Sequence, residues 1–170
     1  MPFKYYGGVH PDYAKTASKT PVRTISPPSV VALPMIQQIG APNKPIVSVG
    51  DTVKMGQLIG TNDAPVSAPV HASVSGKVIA VEPRRHMLGD MVMSVVIEND
   101  FQDTPCEDMK PLTAEQLKDP DAIIARIREA GVVGMGGAMF PTAFKIQGAR
   151  GKVDTLIING AECEPYLCGD

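Results

Sequence analysis

Hydrophobic positions come first in short, separated runs. Val30, Val31 and Leu33 make one run. Residues 45–53 (Pro-Ile-Val-Ser-Val-Gly-Asp-Thr-Val) alternate apolar and polar positions and then turn at Gly50-Asp51. Further runs lie at 57–60, 66–70, 76–81 and 93–97. Short runs with turn residues about every ten positions predict an all-β sandwich or barrel. The period then changes. Asp119-Pro120-Asp121 reads as a helix start, a capping aspartate followed by proline at the first helical position. Ile123, Ile124, Ile127 and Ala130 share one helical face, Arg126 and Arg128 point elsewhere, and Gly131 ends the helix. A second helix is expected from about Pro141 to Ala149. Thr155-Leu156-Ile157-Ile158 is a continuous apolar run of the kind found in buried parallel strands.

The chain thus divides into three zones: an extended arm over 1–28, a β domain over 29–104, and the start of an α/β domain over 113–170. Residues 101–112 are polar and proline-containing, which marks the boundary between the last two. The fold class expected is α+β. Composition agrees: 16 Gly and 16 Pro in 170 residues imply many turns. A net charge of −2 without a basic run argues against nucleic acid as a partner. No stretch approaches the roughly 20 apolar residues a membrane span needs, and Met1 to Gly8 lacks the apolar core of a signal peptide. A soluble, cytoplasmic protein is expected. Cys106, Cys163 and Cys168 are odd in number and form no Cys-x-x-Cys pair, so they read as reduced thiols and cannot complete a four-cysteine cluster site. His10, His71 and His86 are scattered, with no second ligand at metal spacing.

The chemistry concentrates in Gly134-Met135-Gly136-Gly137-Ala138-Met139-Phe140-Pro141-Thr142. Glycines let main-chain N–H groups approach a ligand closely. A glycine turn feeding a helix N-terminus suits a phosphate. The dinucleotide fingerprint Gly-x-Gly-x-x-Gly is incomplete, because its third glycine position is Met139. Asn159 and Glu162, at the carboxyl end of the expected strand, would face the same crevice as the loop. Lys145, taken alone, is an ordinary surface lysine.

Two resemblances sharpen this reading. Val49-Gly50-Asp51-x-Val53 with Gly56-Gln57-x-Ile59, followed by Ala72-x-Val74-x-Gly76-x-Val78, resembles the barrel-sandwich hybrid of biotinyl and lipoyl carriers, in which two such hairpins pack as flattened sheets. Carriers hold their prosthetic group on a lysine between those motifs. No lysine lies between Lys54 and Lys77, so neither biotin nor lipoate is expected.

The glycine loop, Lys145 and Ile157-Ile158-Asn159-Gly160-Ala161-Glu162-Cys163-Glu164-Pro165 resemble the flavin-binding part of the C subunit of Rnf-type ion-translocating electron-transport complexes. More distantly they resemble the NADH-oxidising flavoprotein subunit of respiratory complex I. The Rnf resemblance extends through Phe3-Lys4-Tyr5-Tyr6-Gly7-Gly8-Val9-His10-Pro11, Gln38-Ile39-Gly40-Ala41-Pro42 and Ser67-Ala68-Pro69-Val70-His71-Ala72.

That resemblance implies a set of roles. Gly134, Gly136, Gly137 and Ala138 would pack under FMN, with Lys145 supplying a cation to the flavin or its phosphate. Asn159 would hydrogen-bond the flavin, and Glu162 and Glu164 would lie near flavin and nicotinamide. Phe140 would stack on an aromatic ring of either ligand. The family generally carries glycine where this chain has Met139. The complex I group carries aspartate where this chain has Ala161.

The implied function is an electron-transport subunit that oxidises NADH through FMN and passes electrons to [4Fe–4S] clusters held beyond residue 170. Its place would be the inner face of the cell membrane, reached through partner subunits. Only about one and a half βα units are visible, so weak or absent FMN binding by the 170 residues alone is expected, and 113–170 should be less stable than the β domain. The alternatives are a non-catalytic docking module and a soluble flavoprotein reductase of the same N-terminal design.

Overall fold

A computed structural model describes residue 12 and residues 14–158. One compact unit spans Pro27–Lys152 and contains every strand and helix named below. The described residues of 12–26 and 153–158 belong to a separate unit. In the former, residues 16–19 form turns, with the Thr16 amide donating to the Ala14 carbonyl at 2.9 Å.

Seven strands build two antiparallel sheets. They are β1 (Val30–Pro34), β2 (Lys44–Pro45), β3 (Thr52–Val53), β4 (Leu58–Thr61), β5 (Val70–His71), β6 (Gly76–Arg85) and β7 (Met91–Asn99). The four-stranded sheet runs β1-β7-β6-β3 and the three-stranded sheet β2-β4-β5. Both sheets send side chains into one core. Val53, Val78, Val95 and Ile97 come from the first, Ile59 and Val70 from the second, and Met35 joins them from the loop after β1. Six of these seven are at most 1% exposed, and Val70 is 5% exposed. Burying each such side chain contributes on the order of 1.5–3 kcal/mol. A shared core between two small sheets is the sandwich expected from the patterning.

The alternating run that leads to the Gly50-Asp51 turn does not form one continuous strand. Only the ends of residues 45–53 pair: Pro45 with Gly60 in one sheet, Thr52 with Lys77 in the other. The segment is the crossover between sheets, so its middle cannot stay on one ladder. It bends where the Ser48 amide donates to Asp51 Oδ2 at 2.8 Å, which makes Asp51 the turn residue the sequence suggests. Strand β6 is longer than expected and runs to Arg85. Between Val78 and Ala80 its register against β7 slips by one residue. The bulge leaves Ile79 42% exposed while Val78 stays in the core.

The polar segment after β7 is tied to the barrel. Ser75 donates its hydroxyl to Asp100 Oδ1 at 2.7 Å and accepts from the Thr104 amide at 2.9 Å. Met55 then bonds the segment on both sides of Pro105. Its amide donates to Thr104 O at 2.9 Å, and its carbonyl accepts from the Cys106 amide at 2.8 Å.

A 3₁₀ turn at Gln116–Lys118 precedes helix α1 (Pro120–Glu129). Asp119 caps α1, its carboxylate accepting from the Asp121 amide at 2.9 Å, with Pro120 in the first turn. Gly131 leaves the helix at φ +66°, as expected of a terminating glycine. Ile124 is the buried anchor of α1, with Ile123 and Ile127 half-buried beside it. Ala130, placed on the same face by periodicity, is exposed. Arg126 and Arg128, expected to point to solvent, are half-buried instead. Arg128 donates to Gln147 Oε1 at 3.2 Å, and Arg126 Nη1 lies 3.6 Å from Glu129 Oε2.

Helix α2 is Thr142–Ala149. Pro141 is its cap, with ψ 117°, and so stands one position outside the helix it was expected to open. The reason is a backbone bridge between Pro141 and Val133, which holds Pro141 extended. Arg150 ion-pairs with Asp121, linking the end of α2 to the start of α1.

The expected strand at 155–158 is absent. The segment makes no ladder, and Leu156, Ile157 and Ile158 are 80–83% exposed. A parallel strand is held by neighbours on both edges and by helices on both faces. Among the described residues no parallel strand is present to pair with it.

Candidate functional site

The glycine loop is a closed excursion between α1 and α2. At its base Val133 pairs with Pro141 as an antiparallel bridge. The Thr142 amide donates to Val132 O at 3.1 Å, and the Gly134 amide to Phe140 O at 2.9 Å. At its tip the Met139 amide donates to Gly136 O at 3.1 Å. The Ala138 carbonyl accepts from the Ile39 amide, on the loop between β1 and β2, at 3.2 Å. Among the described residues, the N–H groups of Gly136, Gly137 and Ala138 meet no acceptor.

Gly136 and Gly137 open onto free space. A Cβ built on either has no atom within 4 Å. Their flat main chain is therefore accessible, as a ring or phosphate laid against it requires. Gly134 is different: it sits at the base, where a Cβ would make ordinary contacts with Phe140 at 3.7–3.8 Å. Met139 adopts φ +45°, the left-handed region that glycine enters without cost.

Phe140 is half-buried. Its ring meets Phe144 edge-on, with centroids 5.9 Å apart at 64°. That contact fastens the loop's exit to α2. Lys145 is exposed on the first turn of α2, its amide donating to Pro141 O at 3.3 Å. The structure thus brings Gly134, Gly136, Gly137, Ala138, Phe140 and Lys145 into one loop-and-helix unit. Asn159, Glu162 and Glu164 lie outside the described residues.

A second concavity, about 600 Å³, lies between the barrel and α1. Gly56, Leu58, His71, Cys106, Arg126 and Glu129 are among its lining. Among the described residues, Arg126 Nε is buried there without a partner, although Arg126 Nη1 lies 3.6 Å from Glu129 Oε2. Burial pushes the His71 imidazole below its ordinary value near 6.5, opposed by a hydrogen bond to the Glu129 backbone. Periodicity alone places Arg126 on the solvent side, so this feature was not legible in the sequence. Among the described residues no group of three His, Cys, Asp or Glu is placed to hold a metal. No described helix is long and apolar enough to cross a membrane.

Residues 3–102 match the family model described as the RnfC barrel-sandwich hybrid domain, more than half of the chain. The chain belongs to the RnfC family. Residues 127–170 match a second model, the Nuo51 FMN-binding domain, and this match contains the whole glycine loop. Three curated RnfC relatives illustrate the likeness. The C subunit of the Na(+)-translocating ferredoxin:NAD(+) oxidoreductase complex of Acetobacterium woodii is 51% identical over 168 residues, 98% of this chain and 38% of that protein. The C subunit of the proton-translocating ferredoxin:NAD(+) oxidoreductase complex of Clostridium ljungdahlii is 44% identical over 169 residues, 98% of this chain and 37% of that protein. The C subunit of the ion-translocating oxidoreductase complex of Klebsiella pneumoniae is 43% identical over 169 residues, 98% of this chain and 22% of that protein. The chain therefore spans well under half the length of these RnfC relatives.

Proposed function

We propose that this chain supplies the barrel and the FMN-phosphate loop of an Rnf-type electron-transport subunit. The observation that carries the reading is the coincidence of two things. The stretch matched by an FMN-binding domain model contains a glycine loop with unpartnered amides and an open face above Gly136 and Gly137. Gly136, Gly137 and Ala138 would hold the flavin's phosphate and ribityl chain through main-chain N–H groups. Lys145, exposed one turn into α2, would reach the phosphate as a point charge. Positive charge near a reduced, anionic flavin raises its potential. Phe140, fixed by Phe144, would border the ring. Asn159, Glu162 and Glu164 would complete the flavin and nicotinamide contacts.

Bound FMN would exchange a hydride with the nicotinamide nucleotide and single electrons with [4Fe–4S] clusters elsewhere in the subunit. The relatives' names put ferredoxin as donor and NAD(+) as acceptor, so net flow toward NAD(+) is the direction proposed, with NADH oxidation as its reverse. The other subunits of a membrane complex would be the partners, and the cytoplasmic face of the membrane the location. The barrel carries no carrier lysine at the hairpin position and would serve as scaffold. A docking role for the barrel has its own support. Met87, Leu88 and Met91, at the tip of the β6–β7 hairpin, are 87%, 81% and 64% exposed, as a contact surface for another protein of the complex would be.

The test is Gly137→Val in the full subunit. The open space at Gly137 lets the variant fold, while its side chain occupies the place of the flavin. Loss of bound FMN and of NADH-linked activity, with an unchanged melting temperature, is the result expected. Full FMN retention would overturn the reading.

A further inference from the structure

The sequence Gln38-Ile39-Gly40-Ala41-Pro42 lies in the barrel, far from any flavin residue in sequence. Its placement gives it a task. The Ile39 amide donates to the Ala138 carbonyl at 3.2 Å. Among the described residues, this is the backbone bond that reaches the tip of the glycine loop from outside the loop itself.

The turn that presents Ile39 is held from several sides. Gly40 sits at φ +123°, and a Cβ there would stand 2.2 Å from the Val66 carbonyl oxygen. That same carbonyl accepts from the Ala41 amide at 3.0 Å. Only glycine allows this approach. Gln37 Nε2 donates to Pro34 O at 3.2 Å, anchoring the turn to the end of β1. Gln38 is 7% exposed, and its Oε1 accepts from the Gln37 amide at 3.1 Å. Asn43, 4% exposed, then ties the chain to Met35 O and Ala68 O at 3.2 and 2.8 Å. The barrel side of the contact is thus stiff. The loop side, rich in glycine and exposed, is intrinsically loose.

We infer that the 38–40 turn of the barrel is a positioning element for the glycine loop, fixing Ala138 through Ile39 so that the neighbouring amides are arranged before ligand arrives. This rests on the FMN reading of the loop for its ligand, and on the geometry alone for the positioning. A loop ordered in advance loses less entropy on binding. The barrel would then contribute to flavin affinity without touching flavin.

The test removes the Ile39 donor in the full subunit with Ile39→Pro, and with Ile39→Leu as a control that keeps it. Amide hydrogen exchange is read at Gly134 and Met139, the loop amides that are hydrogen-bonded, and, for fold integrity, along β7. Should proline disturb the barrel, replacing the Ile39 amide by an ester deletes the N–H alone. Roughly two- to tenfold faster exchange in the loop is expected, with β7 unchanged and FMN binding weakened by a similar factor. Loop exchange equal to that of the unsubstituted chain in both donor-deleted forms would overturn the inference. If the unsubstituted chain shows no FMN contact at the loop, the FMN reading fails, and the exchange result decides the positioning by itself.

Discussion

The Met139 amide donates to the Gly136 carbonyl at 3.1 Å, and Met139 does so from φ +45°. A residue with a Cβ is held in the left-handed region at the tip of the loop proposed to carry flavin. Such a conformation costs about 1 kcal/mol or more relative to glycine. Met139→Gly relieves that cost and gives back part of it through a more flexible unfolded chain. A net gain of up to about 1 kcal/mol is expected in urea unfolding, with Met139→Ala near neutral. A less stable glycine variant would show that the methionine side chain, 39% exposed, packs usefully.

Gly131 is the opposite case. It ends α1 at φ +66°, and a Cβ there would stand 2.6 Å from the Pro69 carbonyl oxygen and 3.6 Å from His71 Nδ1. Gly131→Ala therefore combines backbone strain with a clash against the barrel. A loss above about 1 kcal/mol is expected. Limited proteolysis should cut α1 and α2 before the β sheets. Simultaneous release of both halves would mean that the helices and the barrel unfold as one.

His71 gives the pH dependence. Its folded-state value lies below the ordinary 6.5 because burial disfavours the imidazolium. Above pH 6.5 both folded and unfolded forms are neutral and His71 has no effect. As pH falls through 6.5 toward the lower folded value, the unfolded chain takes up the proton first, so stability falls. Chemical denaturation at pH 7.5 and 5.5 should show this loss, and His71→Gln should reduce it. An undiminished loss in the variant would place the effect on other groups.

The β domain was legible because its signals are local. The hairpin motifs around Gly50-Asp51 and Gly76 fix turns, and the alternating runs supply one core. The cap at Asp119 and the stop at Gly131 were equally plain, because each needs only its own neighbours. What escaped was set by contacts distant in sequence. Residues 45–53 read as an alternating run ending in a turn, but two sheets claim the ends of the segment and its middle joins neither ladder. Pro141 read as a first helical residue, but its bridge to Val133 holds it extended. Arg126 read as solvent-facing until the barrel wall was placed beside it. The run 155–158 has the composition of a buried strand, yet composition supplies no neighbour to bury it. At the site, the glycines marked the loop, while the left-handed Met139 and the Ile39 contact are facts of backbone geometry that no residue type announces.

Flavin phosphate is proposed to bind at the loop over residues 134–139. Backbone amide chemical shifts of the full subunit, followed as FMN is added to the flavin-free protein, test this directly. Shift changes should gather at Gly136, Gly137 and Ala138 and vanish in Gly137→Val, while β7 stays unmoved. Changes confined to the cavity beside Arg126 and His71, or an unresponsive glycine loop, would contradict the claim.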